Sequence, residues 1–222
     1  MDIHRPKPFH GVREFLKEYG IIVLGVLTAL ALEQSVEWLH TRSEVKETRE
    51  ALKTEISRNS AIALYSSAED KCLFKASQNW VAWAKGGPRP GVVYPHLQNL
   101  QSAIWDLSKT GAVTHMPLKE RAVLARYYSV VEQFNQNRVI QRQISVSIAS
   151  LALSDSLNEA QVQRLVEEEN SAGVMDRYEL INAATIVRLS RELGAKPEPE
   201  RASARGELEQ LCRATGGPPP GA

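Results

Sequence analysis

The sequence predicts an all-α fold with one membrane-spanning segment, on three observations. Thr41 to Lys85 contains no Pro or Gly and is dense in Ala, Leu, Glu, Lys and Arg, all strong helix formers. Farther along, apolar residues recur at three- and four-residue spacing, the period of an amphipathic helix. Gly20–Leu32 is the one long stretch that is uncharged and almost wholly apolar. The expected architecture is an N-terminal transmembrane helix that continues into a long stalk helix. Two further long helices, with one short helix between the stalk and the first of them, fold back on it as an elongated bundle. The chain divides into a flexible N-terminus (1–10), an interfacial and transmembrane anchor (11–40), a helical bundle domain (41–194) and a mostly disordered tail (195–222).

Pro6 and Pro8 keep the first residues irregular, and from Gly11 the residues Val12, Phe15, Leu16 and Tyr19 fall at helical spacing. The strict apolar run covers only about 20 Å of helix against a hydrocarbon core of about 30 Å. Tyr19 and Trp38 extend it to about 28 Å and stand where interfacial aromatic residues sit. Glu33 then lies at or just inside one interface. Three readings compete for this segment: an uncleaved signal anchor, a cleaved signal peptide with Ala29-Leu30-Ala31 as its small-residue site, and a buried soluble helix. Glu14 and Glu18 dilute the basic flank of a cleavable signal, which favours the anchor. Arg5, Lys7, Arg13 and Lys17 precede the span, and Arg42, Lys46 and Arg49 follow it at a distance. That bias places the N-terminus inside and the large C-terminal part outside. Gly25, Ala29 and Glu33 share a face of the span. They form either a helix-association face or a stripe whose glutamate simply marks the interface.

Glu44 to Arg58 alternates charges at spacings that allow i, i+4 pairs and reads as a solvated stalk, with a bend near residues 57–68. Gly86-Gly87-Pro88-Arg89-Pro90-Gly91 is the clearest loop, and Val92-Val93-Tyr94 is a short extended candidate. A short helix is expected from about Gln98 to Lys109, capped by Gly111. Pro117 occupies the first turn of the next helix, whose amide- and arginine-rich middle, Gln133 to Gln143, reads as a solvent face. Ser154-Asp155-Ser156 ends it. Either Ser156 with Glu159 or Asn158 with Gln161 supplies a capping box for the last long helix. Ser171-Ala172-Gly173 is a point where that helix can be interrupted, and Gly194 caps it. The tail is expected to hold one weak helical turn around Glu207–Cys212 before the Gly216–Gly221 run.

The chemistry-bearing patterns are absent from the sequence. It contains no phosphate-binding glycine loop, no dinucleotide glycine motif, no nucleophile elbow and no H-E-x-x-H. His4, His10, His40, His96 and His115 form no ligand spacing with one another or with a carboxylate. Trp38, Trp80, Trp83 and Trp105 read as packed or interfacial rather than as a cage, and Glu167-Glu168-Glu169 as a solvated acidic turn. No catalytic, cofactor-binding or metal residue is therefore assigned, and a non-enzymatic protein is expected. Lys+Arg total 27 against Asp+Glu 26, a balance that argues against a nucleic-acid partner. Cys72 and Cys212 allow one disulfide and cannot build a Cys-only zinc site. They either pair, if the domain lies in an oxidising compartment, or stand as two unrelated buried thiols.

The opening Phe9-His10-Gly11, Glu14-Phe15, Glu18, Gly20-Ile21, Gly25-Val26-Leu27, Ala29-Leu30, Glu33-Gln34 and Glu37 resembles a group of uncharacterised proteobacterial membrane proteins with a single N-terminal span. Ile104-Trp105-Asp106, Gly111, Met116-Pro117-Leu118 and Tyr127-Tyr128 are similar to their soluble part. The resemblance implies the anchored topology, and places Cys72 and Cys212 where that group's cysteines are expected. It implies no activity. Together these readings predict a single-pass protein of a bacterial inner membrane, N-terminus cytoplasmic and C-terminal domain periplasmic. Its expected partners are the lipid membrane and either a second copy or another membrane protein. The expected role is interaction or scaffolding with self-association. The alternative is a periplasmic sensor or small-ligand-binding domain, for which a buried polar constellation near Trp105, Tyr127 and Tyr128 would speak.

Overall fold

The computed structural model describes residues 11–91, 97–154, 156–199 and 202–217, with the side chains of 202–204 left aside. Every regular element among them is helical: α1 (Val12–Ala84), α2 (Ala103–Ser108), a 3-10 turn (Ala112–His115), α3 (Leu118–Ala152), α4 (Glu159–Glu192) and α5 (Ala202–Thr215). The chain forms two compact units, Met1–Glu47 and Thr48–Ala222, and α1 contributes to both.

In the first unit the described residues from Val12 on form a single helix. Ile21, Ile22, Leu24, Val26, Leu27, Leu30 and Leu32 are all exposed. Their helix is long and apolar enough to cross a membrane, and none of its apolar window is buried.

The second unit is built on three helices whose directions follow from side-chain pairing. Arg49 pairs with Glu120, Glu55 with Tyr128 and Ser66 with Arg138, so residue numbers rise together and α1 runs parallel to α3. Ser147 pairs with Glu168, Gln141 with Asp176 and Arg138 with Glu179, so numbers run oppositely and α3–α4 is an antiparallel hairpin. A parallel pair needs a long connection, which residues 85–117 provide. The apolar core between the three contains Leu52, Ile56, Ala63, Tyr127, Val131, Phe134, Leu165, Ile186 and Leu189.

Most local signals act where the sequence puts them. Asn158 accepts from the Gln161 amide at 2.9 Å and Gln161 Oε1 accepts from the Asn158 amide at 2.9 Å, which selects the second of the two possible capping boxes. Pro117 stands one residue earlier than expected, as the N-cap of α3 rather than in its first turn. Gly194 takes φ +70 beyond the end of α4, a conformation that glycine adopts without a Cβ clash.

Other expectations are corrected. The short helix starts at Ala103 rather than near Gln98. The reason is a pair of asparagine clamps: Asn59 bonds both the amide and the carbonyl of Gln101, and Asn135 does the same to Leu100. These bonds satisfy the backbone from outside and hold it extended. Gly111 does not cap this helix, which ends at Ser108 with Lys109 as its C-cap. Ser171-Ala172-Gly173 causes no break, and α4 runs unbroken from Glu159 to Glu192. The 195–222 tail is not mostly disordered: α5 folds over fourteen residues, with Leu208 and Cys212 buried beside Cys72. The expectations for 1–10, for Val92-Val93-Tyr94 and for 218–222 lie outside the described residues.

Candidate functional site

The polar constellation considered near Trp105, Tyr127 and Tyr128 exists. Glu55 of α1 is only 4% exposed although it belongs to the charge-alternating stretch. Its Oε1 accepts from the Tyr128 hydroxyl at 2.6 Å and its Oε2 from the Ile104 amide at 2.9 Å. Trp105 stacks on Tyr128 at 4.8 Å, and Tyr127 meets Tyr128 edge-on at 5.0 Å. Burial and the neighbouring carboxylate push the Tyr128 hydroxyl far up, so it stays a donor. Both Glu55 oxygens are satisfied by the fold itself. This group anchors the α2 region to the bundle and offers no free valence to a ligand.

The unsatisfied charges lie farther along the same three helices. Arg138 of α3 is 1% exposed. It donates to Ser66 of α1, bonds Gln141 at 3.3 Å and forms an ion pair with Glu179 of α4 at 2.6 Å. Its ring neighbour is Phe134, with the guanidinium 5.0 Å from the ring centre. Around this one cation stand Glu69 and Asp70 from α1 and Glu169, Asp176 and Glu179 from α4. Asp70 is 2% exposed and neither of its oxygens receives a hydrogen bond among the described residues. Asp176 accepts from Gln141 at 3.2 Å.

The electrostatics follow from that arrangement. Desolvation raises the Asp70 carboxyl, the negative charges of Glu179 and Asp176 raise it further, and Arg138 only partly opposes them. Glu179 is raised by burial against the lowering pull of Arg138. Asp176 is pushed up to about 6, mainly by burial. Glu169 is raised by burial, with Ser77 opposing. A cavity of about 90 Å³ borders the cluster, lined in part by Arg138, Gln141, Glu169, Asp176, Ser77 and Trp80. Among the described residues no three His, Cys, Asp or Glu side chains form a metal-binding set.

The remaining candidates fall as follows. Cys72 and Cys212 are joined as a disulfide with Cα atoms 5.0 Å apart. Gly25, Ala29 and Glu33 are exposed on α1, and a Cβ added at Gly25 would meet nothing within 4 Å. They share a face of the helix. Trp38 is exposed with Arg42 over its ring at 5.2 Å, whereas Trp80 is buried and meets Trp83 at 5.5 Å.

Two readings of polar stretches are overturned. In Gln133–Gln143, Asn135, Arg138 and Gln141 point inward, every third residue, while Gln133, Gln136, Arg142 and Gln143 face solvent. Glu169 is buried rather than part of a solvated turn. The sequence signal that finds them is the coincidence of Phe134, Arg138, Gln141 and Ile144 on one helical face. No known protein family, curated protein or solved structure matches the chain.

Proposed function

We propose that this is a membrane-anchored, non-enzymatic helical protein whose C-terminal bundle serves interaction, with self-association through the span. The observation that carries the reading is the exposed apolar helix between Tyr19 and Trp38, which a water-soluble chain would have to cover. The proposed setting is a bacterial inner membrane with the bundle on the periplasmic side. The basic residues before the span and the disulfide between Cys72 and Cys212 support that orientation. Apolar residues exposed on the bundle, Val139 and Val146 on α3, Leu153 at its C-cap, and Val174, Tyr178 and Ile181 on α4, support an interaction role.

The small-ligand reading draws less support. Its anticipated site near Trp105, Tyr127 and Tyr128 is packed, and both Glu55 oxygens there are satisfied by the fold.

The expected result is that the full chain stays with membranes after alkaline carbonate washing and leaves them in detergent. In crosslinking from membranes a dimer is expected, lost in Gly25→Ile. Release by carbonate defeats the anchor. An unchanged dimer in Gly25→Ile defeats association through that face.

A further inference from the structure

One guanidinium and five carboxylates meet where α1, α3 and α4 pack. From α1 come Glu69 and Asp70, with Ser66; from α3, Arg138 and Gln141; from α4, Glu169, Asp176 and Glu179. If Asp70, Asp176 and Glu179 were all ionised, Arg138 would offset only one of the three negative charges in a region of low dielectric. Such a cluster does not stay packed, because like charges repel strongly there and water cannot solvate them. Asp70 is the clearest case, being 2% exposed with no hydrogen bond to either oxygen among the described residues. The neutral acid is the form this site accommodates. The adjoining cavity is bordered by Arg138, Glu169 and Asp176.

We propose that this cluster is a proton-operated latch: with protons on the carboxylates α4 stays seated on α1 and α3, and as they leave α4 loosens. Arg138 holds the latch in register by pairing with Glu179 and Ser66, and it balances a single carboxylate. The device turns the pH around the bundle into the exposure of the α4 face, whichever partner that face meets.

The direction in pH follows from linkage. Burial raises Asp70, Glu179 and Asp176 above the ordinary carboxylate range of about 4 that they have in the unfolded chain. Their contribution to stability is therefore complete below about pH 4 and is lost as pH rises through the folded values. Each such group changes the unfolding constant by up to about tenfold per pH unit.

The test uses the full chain in detergent micelles, unfolded by heat or denaturant between about pH 5 and pH 9. The wild-type midpoint should fall steadily with rising pH. Asp70→Asn, which mimics the protonated acid, should flatten that slope by about one proton, while Glu120→Gln at the partly solvated Arg49 pair should leave it unchanged. Hydrogen exchange, corrected for intrinsic rates, should show α4 amides losing protection first in wild type and keeping it in Asp70→Asn. Asp176→Asn should flatten the lower part of the same range, so the proposal is read even where Asp70→Asn does not fold. A wild-type midpoint independent of pH, or equal slopes in wild type and both variants, would overturn it. So would stabilisation by ammonium at fixed pH and ionic strength that is lost in Asp176→Asn, since a bound cation would then take the proton's place. These outcomes leave the membrane anchor standing or falling on its own test.

Discussion

Arg138 and Arg49 each pair with a carboxylate on another helix, and burial separates their consequences. Arg49 makes two bonds to Glu120, at 2.7 and 3.0 Å, with both side chains partly in water. Solvent screens such a pair, and losing it costs about 0–1 kcal/mol. Arg138 and Glu179 are each 1% exposed in their side chains. Removing the guanidinium leaves buried carboxylates with no counter-charge, at a cost of about 3–5 kcal/mol. In denaturant unfolding at neutral pH, Arg138→Leu should therefore lose several times the stability lost by Arg49→Ala. The gap should narrow on acidification, because protonated carboxylates no longer need the cation. Comparable losses at neutral pH would show that Arg138 does not balance the cluster.

At the scale of the element, α5 docks on α1 through its disulfide and a small apolar contact. Leu208 and Cys212 pack with Cys72, Tyr65 and Ala68, and Asn79 donates to the Thr215 carbonyl at 3.2 Å. An isolated helix of this length is marginal in water, so its stability must come from docking. The disulfide spans 140 residues, and closing a loop that long in the unfolded chain contributes about 2–5 kcal/mol. Cys212→Ser should lower the unfolding free energy by that amount and strip exchange protection from α5 while α3 and α4 keep theirs. Gly217→Ala should act the same way, because its Cβ would stand 2.8 Å from the Cys72 Cα. Protection of α5 that survives both changes would mean the helix docks without the bridge.

The same elements show what the sequence makes legible. Asn158 and Gln161 are three residues apart, so their capping box is written locally, and so is the Gly194 stop. Asn59 and Asn135 are clamps only because the fold brings a segment some forty residues away against them. Nothing in their immediate neighbourhood announces it. Arg138, Asp70 and Glu179 look like ordinary surface charges in their own stretches and become a cluster only when three helices meet. The start of the short helix at Ala103 and the folding of α5 escape the sequence for that same reason: non-local bonds decide both.

At the scale of the whole chain, the two compact units have opposite surfaces. In Met1–Glu47 the described apolar side chains are turned outward, whereas Thr48–Ala222 carries the buried core from Leu52 to Leu208. None of the core residues of the second unit comes from before Leu52. A chain beginning at Thr41 should therefore fold and stay in solution without detergent. It should keep helical circular dichroism and a cooperative unfolding transition, and the full chain should need micelles. Such a fragment retains Arg49–Glu120 and the Cys72–Cys212 bridge, so its unfolding free energy should match that of the full chain to within about 1 kcal/mol, as expected for independent units. A fragment that aggregates or unfolds without a cooperative step would show that the first unit contributes to the bundle's stability and not only to its tethering.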